Sequence, residues 1–176
     1  IDACRKERFQ LTIIRPNTVY GSGYRKDSIL DFVKKGAKRK SFLLRLNWPG
    51  LTSLVFVEDV AYAITQLAKK SPKLGRPEIY YLHGENLTLA QISEYTHQAL
   101  NIPYRPVNLP NSFWEICKIL RKFVPLFEKP LSPKTYNFIW RASIIVDNTT
   151  YCKSTKLSKV INWKPKKFED VIREIL

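Results

Sequence analysis

Strands delivered directly into helices are the feature that most limits what this chain can fold into. Leu11-Thr12-Ile13-Ile14-Arg15 is a short β-branched apolar run, the pattern of a strand buried on both faces of a parallel sheet. It ends at Pro16 and enters Gly21-Ser22-Gly23, a loop at the strand's carboxyl end. Asp27 or Ser28 then caps a short helix through Ile29, Phe32 and Val33 to Gly36. Leu54 to Val57 reads as a further extended stretch, and a helix begins near Glu58-Asp59. Acids occupy its first turn and Lys69-Lys70 its last, with Val60, Ala61, Ile64, Leu67 and Ala68 at helical spacing. Glu78-Ile79-Tyr80-Tyr81-Leu82 is another strand. Thr88-Leu89-Ala90-Gln91 has the form of a capping box, heading a helix with Ile92, Tyr95, Thr96 and Ala99 on one face. This alternation predicts an α/β fold over all-α or all-β alternatives.

From Pro103 to Asp147 the rhythm breaks. Six of the chain's 11 prolines fall here, among many aromatics. Phe113, Ile116, Cys117, Leu120, Phe123, Val124 and Phe127 share one helix face, with Glu115, Lys118 and Lys122 opposite. Such a helix either packs on the sheet and closes a pocket, or lies as a basic amphipathic helix on an anionic membrane. The tail resumes a plain pattern: a short helix, the packing anchor Trp163-Lys164-Pro165, then a helix with Phe168, Val171, Ile172 and Ile175 inward.

The composition, 176 residues at 44% hydrophobic and 12% aromatic, is that of a packed globular chain and excludes disorder. Cys4, Cys117 and Cys152 are dispersed and lack a CxxC pair, which argues against a disulfide framework or a zinc site and for a reducing compartment. No apolar run reaches the roughly 18 residues of a membrane span, and no leader pattern opens the chain, so a cytoplasmic protein is expected. The formal charge is +15. Its densest runs, Lys34 to Lys40 and Lys164 to Lys167, flank predicted helices and do not alternate with aromatics as a base-stacking groove requires. Nucleic acid is therefore not the expected partner.

Four segments resemble, in order, the extended short-chain dehydrogenases/reductases, the NAD-dependent epimerase/dehydratase family. Arg15 to Gly21 (RPNTVYG) is similar to that family's RPxxVYG segment. Val55 to Ala61 (VFVEDVA) resembles its strand-to-helix junction. Glu78 to Leu89 (EIYYLHGENLTL) resembles a later strand, turn and helix start, and Lys156 to Phe168 its closing signature.

The resemblance implies the distal part of a Rossmann-type parallel sheet, interleaved with substrate-loop segments over residues 1–100. A mainly helical substrate-binding subdomain is expected over 101–176. It implies NAD or NADP as cofactor in the complete protein and a small-molecule substrate. Pro16 falls on the cofactor side, and Asn17, Thr18 and Tyr20 on the substrate side. The family's glycine-rich GxxGxxG turn is absent, and no tyrosine here is followed by lysine four residues later, so no catalytic residue is assigned. The chain contains no methionine and starts at Ile1. It is accordingly expected to be the carboxyl-terminal half of such an enzyme, inactive alone, whose partner is the missing amino-terminal Rossmann half. The alternative is a non-catalytic remnant that binds a ligand or partner. Homodimerisation and peripheral membrane contact stay open.

Two departures bear on substrate. Nucleotide-sugar epimerases usually place Asn where Thr18 stands and Arg where Thr52 stands, an arginine suited to a diphosphate. Their loss moves the expectation from a sugar nucleotide towards hydroxysteroid- or flavonoid-like alcohols and ketones. His83 and His97 lack partners at metal-ligand spacing, so no metal site is assigned. Glu58-Asp59 reads as a helix-starting pair, and neither Ser22 nor Ser28 has a nucleophile's neighbours.

Overall fold

The computed structural model describes residues 1–147 and 152–176. A short helix α1 (Asp2–Glu7) leads into strand β1 (Thr12–Pro16), and one residue later into β2 (Thr18–Tyr20). Helix α2 (Ile29–Lys38) and a 3-10 turn (Phe42–Arg45) follow, then β3 (Leu51–Phe56) running directly into α3 (Val57–Ala68). Strands β4 (Glu78–Leu82) and β5 (Glu85–Thr88) precede α4 (Leu89–Ala99). The remainder is helical: α5 (Asn111–Arg121), a 3-10 turn (Val124–Phe127), α6 (Pro133–Ile144), α7 (Thr155–Ser158) and α8 (Phe168–Ile175). The fold is α/β, with strands before residue 100 and helices after it.

Local chemistry sets the helix starts. The Ser28 hydroxyl accepts the Asp31 N–H and caps α2. Thr88 and Gln91 form the full reciprocal capping box at α4. Ser132 caps α6 in the same way, ahead of Pro133 at its first position.

The strands form two small sheets. β1 pairs in parallel with β4, Ile14 opposite Tyr80 and Pro16 opposite Leu82. β2 pairs in parallel with β3, and β3 pairs antiparallel with β5. The second sheet is therefore mixed. β1 has a strand neighbour on one side only among the described residues. That explains a departure from expectation: Thr12, Ile13 and Ile14 are half-buried, and Arg15 and Pro16 exposed, where burial on both faces was expected.

Three clusters hold these layers together. Tyr20, Leu54, Phe56 and Leu87 of the mixed sheet pack on Leu30 and Val33 of α2, Ile92 of α4, and Phe168 and Ile172 of α8. Val55, Tyr80 and Leu82 pack with Ala63 and Leu67 of α3 and Leu157 of α7. Leu46, Trp114 and Val146 form a smaller third cluster.

The apolar positions that keep helical spacing in α3 do not all face the core. Val60 and Leu67 point inward with Ala63, but Ala61, Ile64 and Ala68 are exposed, Ile64 by 50% against 3% for Leu67. The helix carries two apolar stripes: Val60, Ala63 and Leu67 inside, and Val57, Ala61, Ile64 and Ala68 outside. In α5 the apolar face named from the sequence is largely exposed. Trp114 is the residue of α5 that is buried, whereas Phe113, Ile116, Ile119 and Leu120 are exposed.

Helices α5 and α6 attach to the body at few points. The Asn47 side chain accepts the Leu109 N–H at 2.8 Å and the Trp114 indole N–H at 3.3 Å, and donates to the Leu109 carbonyl. Arg121 pairs with Asp147 at 2.8 Å. At the end of α6, the Gly50 N–H donates to the Ile145 carbonyl at 3.0 Å. A Cβ at Gly50 would collide with the Ile145 and Asp147 carbonyls, so this junction accepts only glycine.

Candidate functional site

The chain changes sheets at Asn17. Residues 12–16 pair with β4 and residues 18–20 pair with β3, so the single residue between them sits where the two sheets part. The Asn17 N–H makes the last backbone bond to β4, donating to the Leu82 carbonyl at 3.0 Å. β1 and β4 are parallel, and so are β2 and β3, so the carboxyl ends of each pair coincide. A crevice at strand carboxyl ends, where strand order divides, is the preferred ligand position in open α/β sheets.

At that fork the Asn17 side-chain nitrogen is buried and finds no hydrogen-bond partner among the described residues. A buried amide donor left unpaired costs about 1–3 kcal/mol, and such groups in native structures are usually met by water, an ion or a ligand. A water or a ligand oxygen at this position would satisfy it.

The other sequence-predicted residues lie close by in the chain but differ in role. Pro16 ends β1 and is exposed at its carboxyl end. Thr18 is half-buried on β2 opposite Leu54. Tyr20 is 3% exposed, its ring 5.1 Å from Phe168 and 5.6 Å from Phe56. Burial, reinforced by the Asp59 carboxylate, pushes its hydroxyl well above the usual tyrosine range. Tyr20, expected on the substrate side, is thus a core residue of the mixed sheet. Gly21 follows at the point where the chain meets the start of α3. A Cβ there would collide with the Val57 side chain, so the loop after β2 stays close against this helix.

The acidic pair at the start of α3 is structural. Asp59 is buried and accepts the Lys166 backbone N–H at 2.9 Å, while Glu58 pairs with the Lys166 ammonium at 2.8 Å. Desolvation raises the Asp59 carboxyl above its ordinary range. Glu85 likewise accepts the Phe168 N–H at 3.0 Å at the head of α8. His97 is a core histidine, its Nδ1 2.7 Å from the Ser93 carbonyl. Thr52 is 7% exposed on β3. On β1, the Arg15 guanidinium donates to the Tyr81 hydroxyl at 3.1 Å.

Sequence reasoning missed that Asn17 is the switch residue, because β2 is three residues long and follows β1 after one residue. The signal was present in the proline. Pro16 lacks an N–H and ends a ladder, and a β-branched pair, Thr18-Val19, follows at once.

No family model matches the chain, and no curated protein matches it in sequence. Solved structures share its fold at low identity. The protein gox2253 matches with a TM-score of 0.63 and 18% identity over 93% of this chain and 47% of its own. RMD from Pseudomonas aeruginosa, complexed with NADPH, matches with a TM-score of 0.60 and 16% identity over 99% of this chain and 51% of its own. The dTDP-glucose 4,6-dehydratase of Bacillus anthracis, in complex with NAD, matches with a TM-score of 0.57 and 15% identity over 93% and 42%. The chain thus spans about half the length of the structures it matches, and the shared fold is Rossmann-like.

Proposed function

We propose that this chain is the substrate-binding half of an NAD(P)-dependent oxidoreductase, epimerase or dehydratase. The observation that carries the reading is the unpartnered Asn17 amide at the switch point between two parallel strand pairs. The half-length match to folds that hold NAD or NADPH supports it. The open side of β1 and the outer stripe of α3 supply a backbone edge and an apolar surface on which further parallel strands and a helix can build.

In this reading the nicotinamide, when bound, supplies hydride chemistry. The residues of this chain bind and orient. Pro16 gives the cofactor ring a rigid surface without an N–H. Asn17 donates its amide hydrogen to a substrate or cofactor oxygen, and Thr18 offers a hydroxyl beside it. Tyr20 fixes the strand from below. The acid/base residue lies outside this chain, so the half alone turns nothing over.

A less charged substrate, an alcohol or ketone of hydroxysteroid or flavonoid type, suits this site better than a sugar nucleotide. Thr52, buried on β3, stands where the family resemblance would put a diphosphate-binding arginine, and the Arg15 guanidinium is bonded to Tyr81. The test is fluorescence titration of NADH and NADPH into the full-length protein, followed by turnover on hydroxysteroids and on nucleotide sugars with NAD+ or NADP+ as oxidant. Saturable binding, and oxidation of the uncharged alcohol with reduction of NAD+ or NADP+, are expected. Absence of binding by either nucleotide sinks the proposal.

A further inference from the structure

Asn17 has a counterpart on the neighbouring strand. The parallel register of β1 and β4 ends with Pro16 opposite Leu82, and the Asn17 N–H bonds the Leu82 carbonyl. The next pair in that register is Asn17 and His83, on strands about 4.8 Å apart. Each is also the last residue before its chain turns to β3. Thr18 pairs with Leu54 from one side, and from the other the Gly84 N–H donates to the Leu54 carbonyl. The two residues therefore stand in the crotch of the fork, where β1 and β4 part around Leu54.

Facing follows from alternation. Ile14, Tyr80 and Leu82 pack in the cluster with α3 and α7, while Arg15 and Tyr81, the register pair between them, meet on the opposite face. Two residues further on, Asn17 and His83 fall on that same opposite face. The segment after residue 152 holds His83 in place. The Ser154 hydroxyl accepts its backbone N–H at 2.8 Å and lies 2.6 Å from Nδ1, and the Trp163 indole donates to its carbonyl at 3.1 Å. Among the described residues neither the other ring nitrogen, Nε2, nor the Asn17 side-chain nitrogen has a hydrogen-bond partner.

The pair carries no charge at neutral pH, because burial lowers the His83 pKa below its ordinary value. Arg15, two residues before Asn17, is already bonded to Tyr81. A carboxylate or phosphate would arrive here without a cation to meet it. An amide donor beside a neutral imidazole suits a hydroxyl or a primary carboxamide, each of which accepts one hydrogen bond and can give another.

We propose that Asn17 and His83 form a two-point hydrogen-bonding site for an uncharged hydroxyl or carboxamide group, which makes His83 a ligand-binding residue. The inference rests on the function proposed above and names the group which that site takes. Two sources offer this chemistry, the hydroxyl of a substrate and the carboxamide of the nicotinamide.

The test is nuclear magnetic resonance of the full-length protein, isotopically labelled at histidine and asparagine nitrogens. It is titrated with NADH or NADPH, then with a hydroxysteroid and with a nucleotide sugar. The His83 signals are identified by their loss in His83→Gln. The His83 ring nitrogens and the Asn17 side-chain amide should shift together as one of these ligands saturates. A shift with the dinucleotide assigns the carboxamide, and a shift only with steroid or sugar assigns the hydroxyl. Asn17→Leu and His83→Phe should each lower the affinity of that ligand about tenfold, and the double variant by less than the product of the two. His83→Gln keeps a hydrogen-bonding end and should stay within about threefold of the parent.

Failure of both signals to move with any of these ligands overturns the inference, and so does unchanged affinity in both single variants. If NADH or NADPH nonetheless saturates the protein, the proposed function stands without it. Absence of binding by either dinucleotide overturns both.

Discussion

The Ser154 hydroxyl accepts the His83 backbone N–H at 2.8 Å and lies 2.6 Å from the same residue's Nδ1. The hydroxyl has a second lone pair and its own proton can go to the His83 carbonyl at 3.4 Å, so this contact accommodates Nδ1 as donor or as acceptor. Burial lowers the His83 pKa below its ordinary value. A histidine depressed in the folded state binds fewer protons there than in the unfolded chain. Stability is therefore full above the unfolded value of about 6.5, and falls as pH drops through it towards the folded pKa. Urea midpoints from pH 8 to pH 5 should decline across that window, and less steeply in His83→Gln. Ser154→Ala leaves the His83 N–H unpaired and should cost about 1–3 kcal/mol at neutral pH.

Asn17 makes the opposite kind of prediction. Its side-chain donor has no partner among the described residues, so Asn17→Leu removes an unpaired buried group. The unliganded protein should keep or raise its thermal midpoint. On the proposed function, the full-length protein should lose substrate affinity by about 5–150-fold, the equivalent of about 1–3 kcal/mol. Equal losses in stability and affinity would make Asn17 a packing residue.

Gly50 controls the attachment of α6. Gly50→Ala drives a methyl group into the Ile145 and Asp147 carbonyls, neither of which is the end of a flexible side chain. A loss of about 1–3 kcal/mol is expected, with faster hydrogen exchange confined to α6 and its junction. Unchanged exchange in α6 would show that the helix is held elsewhere.

The two stripes of α3 should separate cleanly. Leu67→Ala removes a buried side chain from the cluster with Val55, Tyr80 and Leu82 and should cost about 2–5 kcal/mol. Ile64→Ser lies on the outer stripe and should change the stability of this chain by under about 0.5 kcal/mol. On the proposed function it should weaken assembly with the rest of the enzyme, measured as loss of cofactor binding at constant folded protein.

What could be read from sequence was the sequence of elements. The strand at Glu78–Leu82, the cap at Ser28 and the Thr88–Gln91 box all depend on a few adjacent residues, and each lies where it was expected. Facing was less legible. Val60, Ala61, Ile64, Leu67 and Ala68 are spaced for a helix, yet spacing cannot divide a wide apolar arc into an inner and an outer stripe. The apolar face of α5 could be read two ways from sequence, and within the helix it is Trp114 that is buried, packed with Leu46 and Val146. Strands β2 and β5, at three and four residues, carry too few side chains for an alternating pattern. Pro16 and Asn17 were assigned to the site from resemblance. The geometry adds that Asn17 is where the strand changes partners, and it moves Tyr20 into the core.

The doubled surface of α3 also has a genetic reading. Leu67 and Ile64 are three residues apart on one helix, but their variants fall into different classes. A Leu67 substitution costs core packing and lowers the abundance of folded protein. On the proposed function, an Ile64 substitution leaves a folded chain at normal abundance that engages the rest of the enzyme poorly. Such an allele is a candidate for compensation by a second-site change on the facing surface, and for Leu67 no such suppressor is expected.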